Sequence, residues 1–396
     1  MRANSKLSKS DGHKKIETER ARQAFYIKFI AEYTEGLDPC TVDSDTIRDC
    51  HKVFVESLIS GENIRNKDNM RAATILGYMK EINRLYALRN LPEPINFNDK
   101  NDPCYRLYID LKQEEDIAAR RKPLTNQMAA KIIKNGNESD FMSKQALARD
   151  VVVLSREMGC RASEILQTTK GKVDQHEYPS GKKVNKAMGR SWFKCYDKQG
   201  RLIKNPVKNR KNVSRIVITW LIQKNRRNGE ECWYEKNEEC KDLCVINAIL
   251  NMFERAERLK QAEDAPMAVY ADKNGKCRYL TRSELTDYMR KVAKEVHPHM
   301  TKAELALISC HSMRVWAAVL LSEKGKNGDY IKIRLRWVSE AYRIYLRNTA
   351  KSTTLHNEAL KSNGAEINFE LENLPDEVNY VTDEELDMGV YTDYAD

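Results

Sequence analysis

Seven consecutive apolar residues, Val315 to Leu321, follow directly on a short motif that carries His311 and Arg314. A helix with such a run is apolar around most of its circumference and needs a core on several sides. His311 and Arg314 stand three apart, so they share one face of that helix. The chain must therefore build its interior around a helix whose first turn carries an imidazole and a guanidinium. Trp337 and Tyr345 follow, with Leu346, Arg347 and Asn348 after them. A guanidinium fork matches the paired oxygens of a phosphate and stays charged throughout. A tyrosine beside such cations can act as a covalent nucleophile.

At 396 residues the chain has room for two domains, each with its own core. No apolar run approaches the roughly 18–20 residues of a membrane span, so a soluble protein without membrane contact is expected. The first twenty residues are polar and show no signal-peptide apolar region. Ten cysteines without a paired framework are expected as reduced thiols in an intracellular protein. The net charge of +10 understates the basic character of the body. Residues 358–396 hold twelve acidic side chains against Lys361 alone, which leaves about +21 on residues 1–357. Such a body is expected to bind a polyanion, nucleic acid first among them.

Residues 1–20 read as a flexible basic tail. Four amphipathic helices are then predicted within 21–117. The first carries Phe25, Tyr26, Phe29, Ile30 and Tyr33. The second is capped near Asp43 and carries Ile47, Cys50, Phe54 and Leu58. The third runs from Ala72 to Tyr86 and stops before two prolines, and the fourth spans about 104–117. The stretch 118–127, with Arg120, Arg121, a proline and a Thr125 cap, reads as a linker, and 128–357 as a second domain. Within it, a buried helix leads to GCRASEIL, where Arg161 and Glu164 stand three apart as if on one helical face. Residues 201–229 hold nine Lys or Arg and no acid, among them Lys208, Arg210, Lys211, Lys224, Arg226 and Arg227. The segment 213–222 alternates like a strand, and 192–197 reads as its antiparallel partner. The fold expected is mainly α with a small antiparallel β-sheet.

The triplet HSMR, then RLRW, then YLRN resembles the catalytic end of the tyrosine recombinases, the phage-integrase-like family. The run RLRWVSEAYRIYLR is most similar to recombinases of eukaryotic Crypton-type elements. The separation of Arg314 from Trp337 is the family's, and Trp337 and Tyr345 are eight positions apart, one fewer than in phage enzymes. The resemblance implies a two-domain DNA clamp, with a helical core-binding domain and a mixed catalytic domain. It implies that Arg161 and Arg314, helped by His311 and Trp337, hold the scissile phosphate while Tyr345 attacks it. Glu164 would hold the neighbouring cations in place. A lysine on a hairpin tip would protonate the leaving 5′ oxygen; Lys208 fits this best, Lys211 next and Lys224 less well. The stretch between Arg161 and Lys208 is longer than in phage enzymes, consistent with an insertion at 176–186. Strand exchange through a 3′-phosphotyrosine needs no ATP, metal or other cofactor, and the family assembles as a tetramer on DNA. A eukaryotic host would place the chain in the nucleus.

Several features point elsewhere or nowhere. Cys232, Cys240 and Cys244 lie close together, yet no fourth ligand stands at zinc-finger spacing. His297 and His299 read as a surface loop, and the acidic close of the chain as a solvating tail. Tyr342, three before Tyr345, competes as nucleophile. A type IB topoisomerase uses nearly the same residues, and an inactive DNA-binding relative is the third reading.

Overall fold

The computed structural model describes residues 13–41, 44–61, 70–115, 121–178, 180–223 and 228–346. They fall into two compact units, one within 1–119 and 177–182, the other within 120–176 and 183–396. The chain is mainly α with small antiparallel sheets, as the periodicities predict. No helix among the described residues is long and apolar enough to cross a membrane.

Helices α1 (His13–Tyr33), α2 (Ser44–Ser60), α3 (Ala72–Ala87) and α4 (Pro103–Glu114) build the first unit. Their facing stripes bury Tyr26, Ile30, Phe54, Leu58, Ile75, Met79 and Ile82 in one core. Tyr26 and Phe29 meet the Phe54 ring edge-on, with centroids 5.2 and 5.1 Å away, the arrangement ring quadrupoles favour. Helix α4 starts where Pro103 fixes φ and the Asp102 carboxylate accepts from the Cys104 and Tyr105 N–H groups. The first helix begins at His13, within the segment read as a flexible tail, because Glu19 is buried and ion-paired to Arg84 of α3 at 2.5 Å. Asp43, Ile117 and residues 1–12 lie outside the described residues.

A polar knot closes this core. His51 Nε2 lies 2.6 Å from the Tyr26 hydroxyl and 3.3 Å from that of Tyr86, which donates to the Pro39 carbonyl. Burial pushes the His51 imidazole down to about 4, against a weaker upward pull from Asp102. The unfolded chain binds a proton at His51 near 6.5, so its stabilisation is complete above that value and is lost as pH falls toward 4. Thermal unfolding of the whole chain should therefore show this unit weakening by roughly 3 kcal/mol over that window. A His51→Gln variant should lack this slope; an unchanged slope would show that other groups cause it.

The second unit opens with α5 (Asn126–Glu138), α6 (Lys144–Met158) and the short α7 (Ala162–Ile165). Thr125 caps α5 as predicted, accepting from Met128 N–H at 3.2 Å. Strands β1 (Gln175–Glu177) and β2 (Lys183–Asn185) form a ribbon at the segment read as an insertion. Then come β3 (Phe193–Tyr196), β4 (Arg215–Trp220), β5 (Glu230–Glu235), α8 (Val245–Arg258), β6 (Val269–Ala271) and β7 (Cys277–Tyr279). The unit continues through α9 (Arg282–Val296), α10 (Lys302–Ala306), α11 (His311–Glu323), α12 (Gly328–Arg334), a 3-10 turn at Glu340–Tyr342 and α13 (Arg343–Leu346). Helix α6 packs against α5, α8 and α11, and its residues from Val151 to Leu154 are all buried, as an all-round apolar run requires. The buried Arg255 of α8 donates to Asp150 of α6 at 2.9 Å and to the Phe141 carbonyl at 3.0 Å, so the charge that burial isolates is paired.

Strands β3, β4 and β5 form an antiparallel meander in that order. The predicted hairpin is present, with Phe193 opposite Ile218 and Tyr196 opposite Arg215. Strand β5 is unanticipated: it pairs Glu230 with Trp220 and Glu235 with Arg215. It absorbs Cys232 into the core, and Cys244 is buried at the head of α8. No disulfide joins the described cysteines.

Candidate active site

Helix α11 starts at His311 and buries everything from Ser312 to Val319. Its polar first turn is therefore fixed at the edge of the core. Arg314, itself 1% exposed, donates from Nη1 to the Gly159 carbonyl at 2.6 Å and from Nη2 to the Arg336 carbonyl at 3.4 Å. Its guanidinium carbon lies 4.3 Å from the Trp337 ring centroid. Gly159 is the left-handed cap of α6 (φ 54), and a Cβ there would meet Leu335 Cδ2 at 2.8 Å. The glycine two before Arg161 thus lets the chain turn and bring a carbonyl to Arg314. Gly159→Ala should lower thermal stability by about 1–3 kcal/mol through left-handed strain and this clash. Calorimetry that finds no loss would show that the turn relaxes freely.

His311, Trp337 and Tyr345 close round one point. His311 Nε2 lies 3.2 Å from the Tyr345 hydroxyl, and the two ring centroids are 5.8 Å apart. The Trp337 ring stands 6.3 Å from His311 and 6.4 Å from Tyr345. Its indole Nε1–H is buried and has no acceptor among the described residues. A buried donor without a partner costs free energy unless an acceptor arrives. Tyr342 takes a different place: it is buried against Ala317, Ala318 and Ile331, with its hydroxyl over Gly328.

Arg161 does not sit on a helical face. It is the extended residue before α7, and the Glu164 carboxylate accepts from both its backbone N–H (2.9 Å) and its Nη1 (3.2 Å). Glu164 is buried and is also held by Arg336, whose Nη1 and Nη2 donate to its two oxygens at 3.1 and 2.9 Å. Burial alone would raise this carboxyl, but the charges of Arg336, Arg161 and Arg314 hold it down at about 2. Three guanidinium groups around one carboxylate leave two positive charges in excess, a ready counter-charge for a phosphate. Arg336 was missed by the sequence reading, although it lies inside RLRW. So was Gln223, whose Oε1 accepts from Arg336 at 3.1 Å.

The remaining cations lie elsewhere. Lys208 and Lys211 are exposed in the connection between β3 and β4. That connection leaves the sheet beside Tyr196 and Arg215, whereas Trp220 and Gln223, which touch Arg336, mark the other end of β4. Six strand residues separate the two ends by about 17 Å. No hydrogen bond or ion pair among the described residues joins Lys208 to the cluster of Arg314, His311, Trp337 and Tyr345. Arg210 turns inward onto α8, bonding the Asn247 carbonyl at 3.0 Å, Glu254 at 3.3 Å and the Asn251 side chain. Arg121 donates to the Ala306 carbonyl at 2.7 Å, and Lys122 pairs with Glu304, so this part of the predicted linker is tied to the second unit. His297 Nε2 lies 3.1 Å from Thr125 Oγ1. Arg120, Lys224, Arg226, Arg227, Arg347 and the acidic segment 358–396 lie outside the described residues.

No protein-family model matches the chain, and neither does any curated protein sequence. Its structural neighbours are recombinases and integrases. XerA recombinase is 12% identical, with 92% of this chain and 97% of that chain covered and a TM-score of 0.34. Tn1549 transposon integrase in complex with circular intermediate DNA is 12% identical over 89% of this chain and 96% of that chain, at a TM-score of 0.49. A lambda integrase tetramer bound to a Holliday junction is 10% identical over 89% of this chain and 74% of that chain, at 0.41. With every one of these scores below 0.5, the functional reading rests on the side chains of this chain alone.

Proposed function

We propose that this chain is a DNA strand transferase of the tyrosine recombinase type, acting on double-stranded DNA through a 3′-phosphotyrosine. The observation that carries the reading is the meeting of Tyr345, His311, Trp337 and Arg314 at one point, with an indole donor that lacks an acceptor. A phosphate placed there would give that donor its acceptor. Arg161 and Arg314 would neutralise the two non-bridging oxygens, and preorganised donors of this kind stabilise the charge that builds in the transition state.

The chemistry balances without an external energy source. The Tyr345 oxygen bonds to phosphorus and its proton passes to His311 Nε2. The bond from phosphorus to the 5′ oxygen breaks, and that oxygen takes a proton from a lysine. Attack by a 5′ hydroxyl of a second strand reverses each step. Lys208 is the proposed acid, and DNA would have to draw the β3–β4 connection to the phosphate. Lys211 is the next candidate and Lys224, past the strand in the sequence, the weaker one. The helical unit would bind DNA as well, and a tetramer of the Crypton-like kind would bring two duplexes together.

The test is a denaturing gel with a nicked suicide substrate, whose short 5′ product diffuses away and traps the covalent adduct. Protein that migrates with labelled DNA is the expected result. Binding without an adduct would leave a DNA-binding module, and supercoil relaxation by the monomer would point to the topoisomerase reading.

A further inference from the structure

Three features meet at Arg336. Its backbone is in the left-handed region (φ 58), where a glycine would rest without strain. Its side chain is buried, with the guanidinium carbon 3.3 Å from the Trp220 ring centroid. Its fork holds both oxygens of Glu164 and a third bond reaches Gln223 at the start of the β4–β5 connection. Its carbonyl accepts from Arg314, and Trp337 is its chain neighbour. The side chain therefore keeps the backbone in a conformation that its residue type disfavours, and that conformation sets Arg314 and Trp337 together.

We infer that Arg336 is a positioning residue for the strand-transfer site: it holds the Glu164 carboxylate toward Arg161 and fixes the Arg314–Trp337 stack. The inference rests on the function proposed above. Arg336 would touch no DNA itself, because its guanidinium is enclosed by Glu164, Gln223 and Trp220. Its effect passes through the two arginines that meet the phosphate, which no sequence spacing reveals, since Glu164 and Arg336 are 172 positions apart.

The test compares adduct formation by the full-length wild type, Arg336→Gly, Arg336→Lys and the double variant Arg336→Gly/Glu164→Gln. Glycine suits the left-handed backbone, so it removes the guanidinium without forcing a refold. Arg336→Gly should form the adduct about 100-fold more slowly, as expected for small misplacements of reacting groups, with DNA affinity within about twofold. Arg336→Lys should recover part of the rate. Glu164 in Arg336→Gly would face only Arg161, Arg314 and the Cys160 thiol in a buried site. Its rate should then gain an acid limb that neither wild type nor the double variant shows. Wild-type rate in Arg336→Gly, or a slower rate with an unchanged pH profile, overturns the positioning role. A wild-type chain that forms no adduct instead overturns the reading of the site itself.

Discussion

Tyr345→Phe should abolish the covalent protein–DNA adduct while leaving DNA affinity within about twofold, because the phenol contributes one oxygen to chemistry and little to binding. Tyr342→Phe should keep the adduct. The two tyrosines are three positions apart, yet the fold separates their roles. Tyr345 stands half-buried with its hydroxyl 3.2 Å from His311 Nε2. Tyr342 is sealed into the pocket of Ala317, Ala318 and Ile331, over a glycine that leaves room for nothing larger. Burial pushes the Tyr342 phenol up, which makes it a poorer nucleophile still. A denaturing gel of both variants decides the matter. An adduct that survives Tyr345→Phe and disappears in Tyr342→Phe would reverse the assignment.

Arg314→Ala should slow adduct formation by about 10³-fold, the scale seen when a preorganised cation or donor is removed from a transition-state charge. It would also leave the Gly159 and Arg336 carbonyls without their donor, and an unmet buried acceptor costs roughly 1–3 kcal/mol. Melting temperature must therefore be measured beside the rate. Arg314→Lys separates the two effects. It keeps the charge but has no fork to span both carbonyls and stack on Trp337, so it should fold better than alanine and still react slowly. A lysine variant at full rate would show that charge alone suffices there.

Much of the fold was legible because its signals are local. The stripes of α1 to α4 recur at helical spacing, and the alternation at 213–222 announces a strand whose partner at Phe193–Tyr196 also reads as one. Strand β5 was not legible because Glu230, Glu231 and Glu235 leave it little apolar alternation, and its pairing with β4 is a matter of register rather than composition. The start of α1 was missed for a similar reason: the polar residue Glu19 is held by Arg84, 65 positions on.

The site divides along the same line. His311, Arg314, Trp337 and Tyr345 lie within 35 positions and share a motif, and the fold brings them together. Arg161 joins them through Glu164 and Arg336, a link that spans nearly half the chain. Lys208 shows the limit of strand spotting. The hairpin that carries it is real, but Trp220 and Gln223, which meet Arg336, lie at the other end of β4, so Lys208 would reach the phosphate only through the movement of the β3–β4 connection proposed above.

The most direct measurement is the identity of the residue that carries DNA. The trapped adduct is digested with trypsin and nuclease, and the nucleotide-bearing peptide is sequenced by mass spectrometry. The expected peptide contains Tyr345 with a 3′-linked nucleotide on its phenolic oxygen. A nucleotide on Tyr342 or any other side chain, or a 5′ linkage, would contradict the arrangement of Arg314, His311 and Trp337 as the machinery of strand transfer.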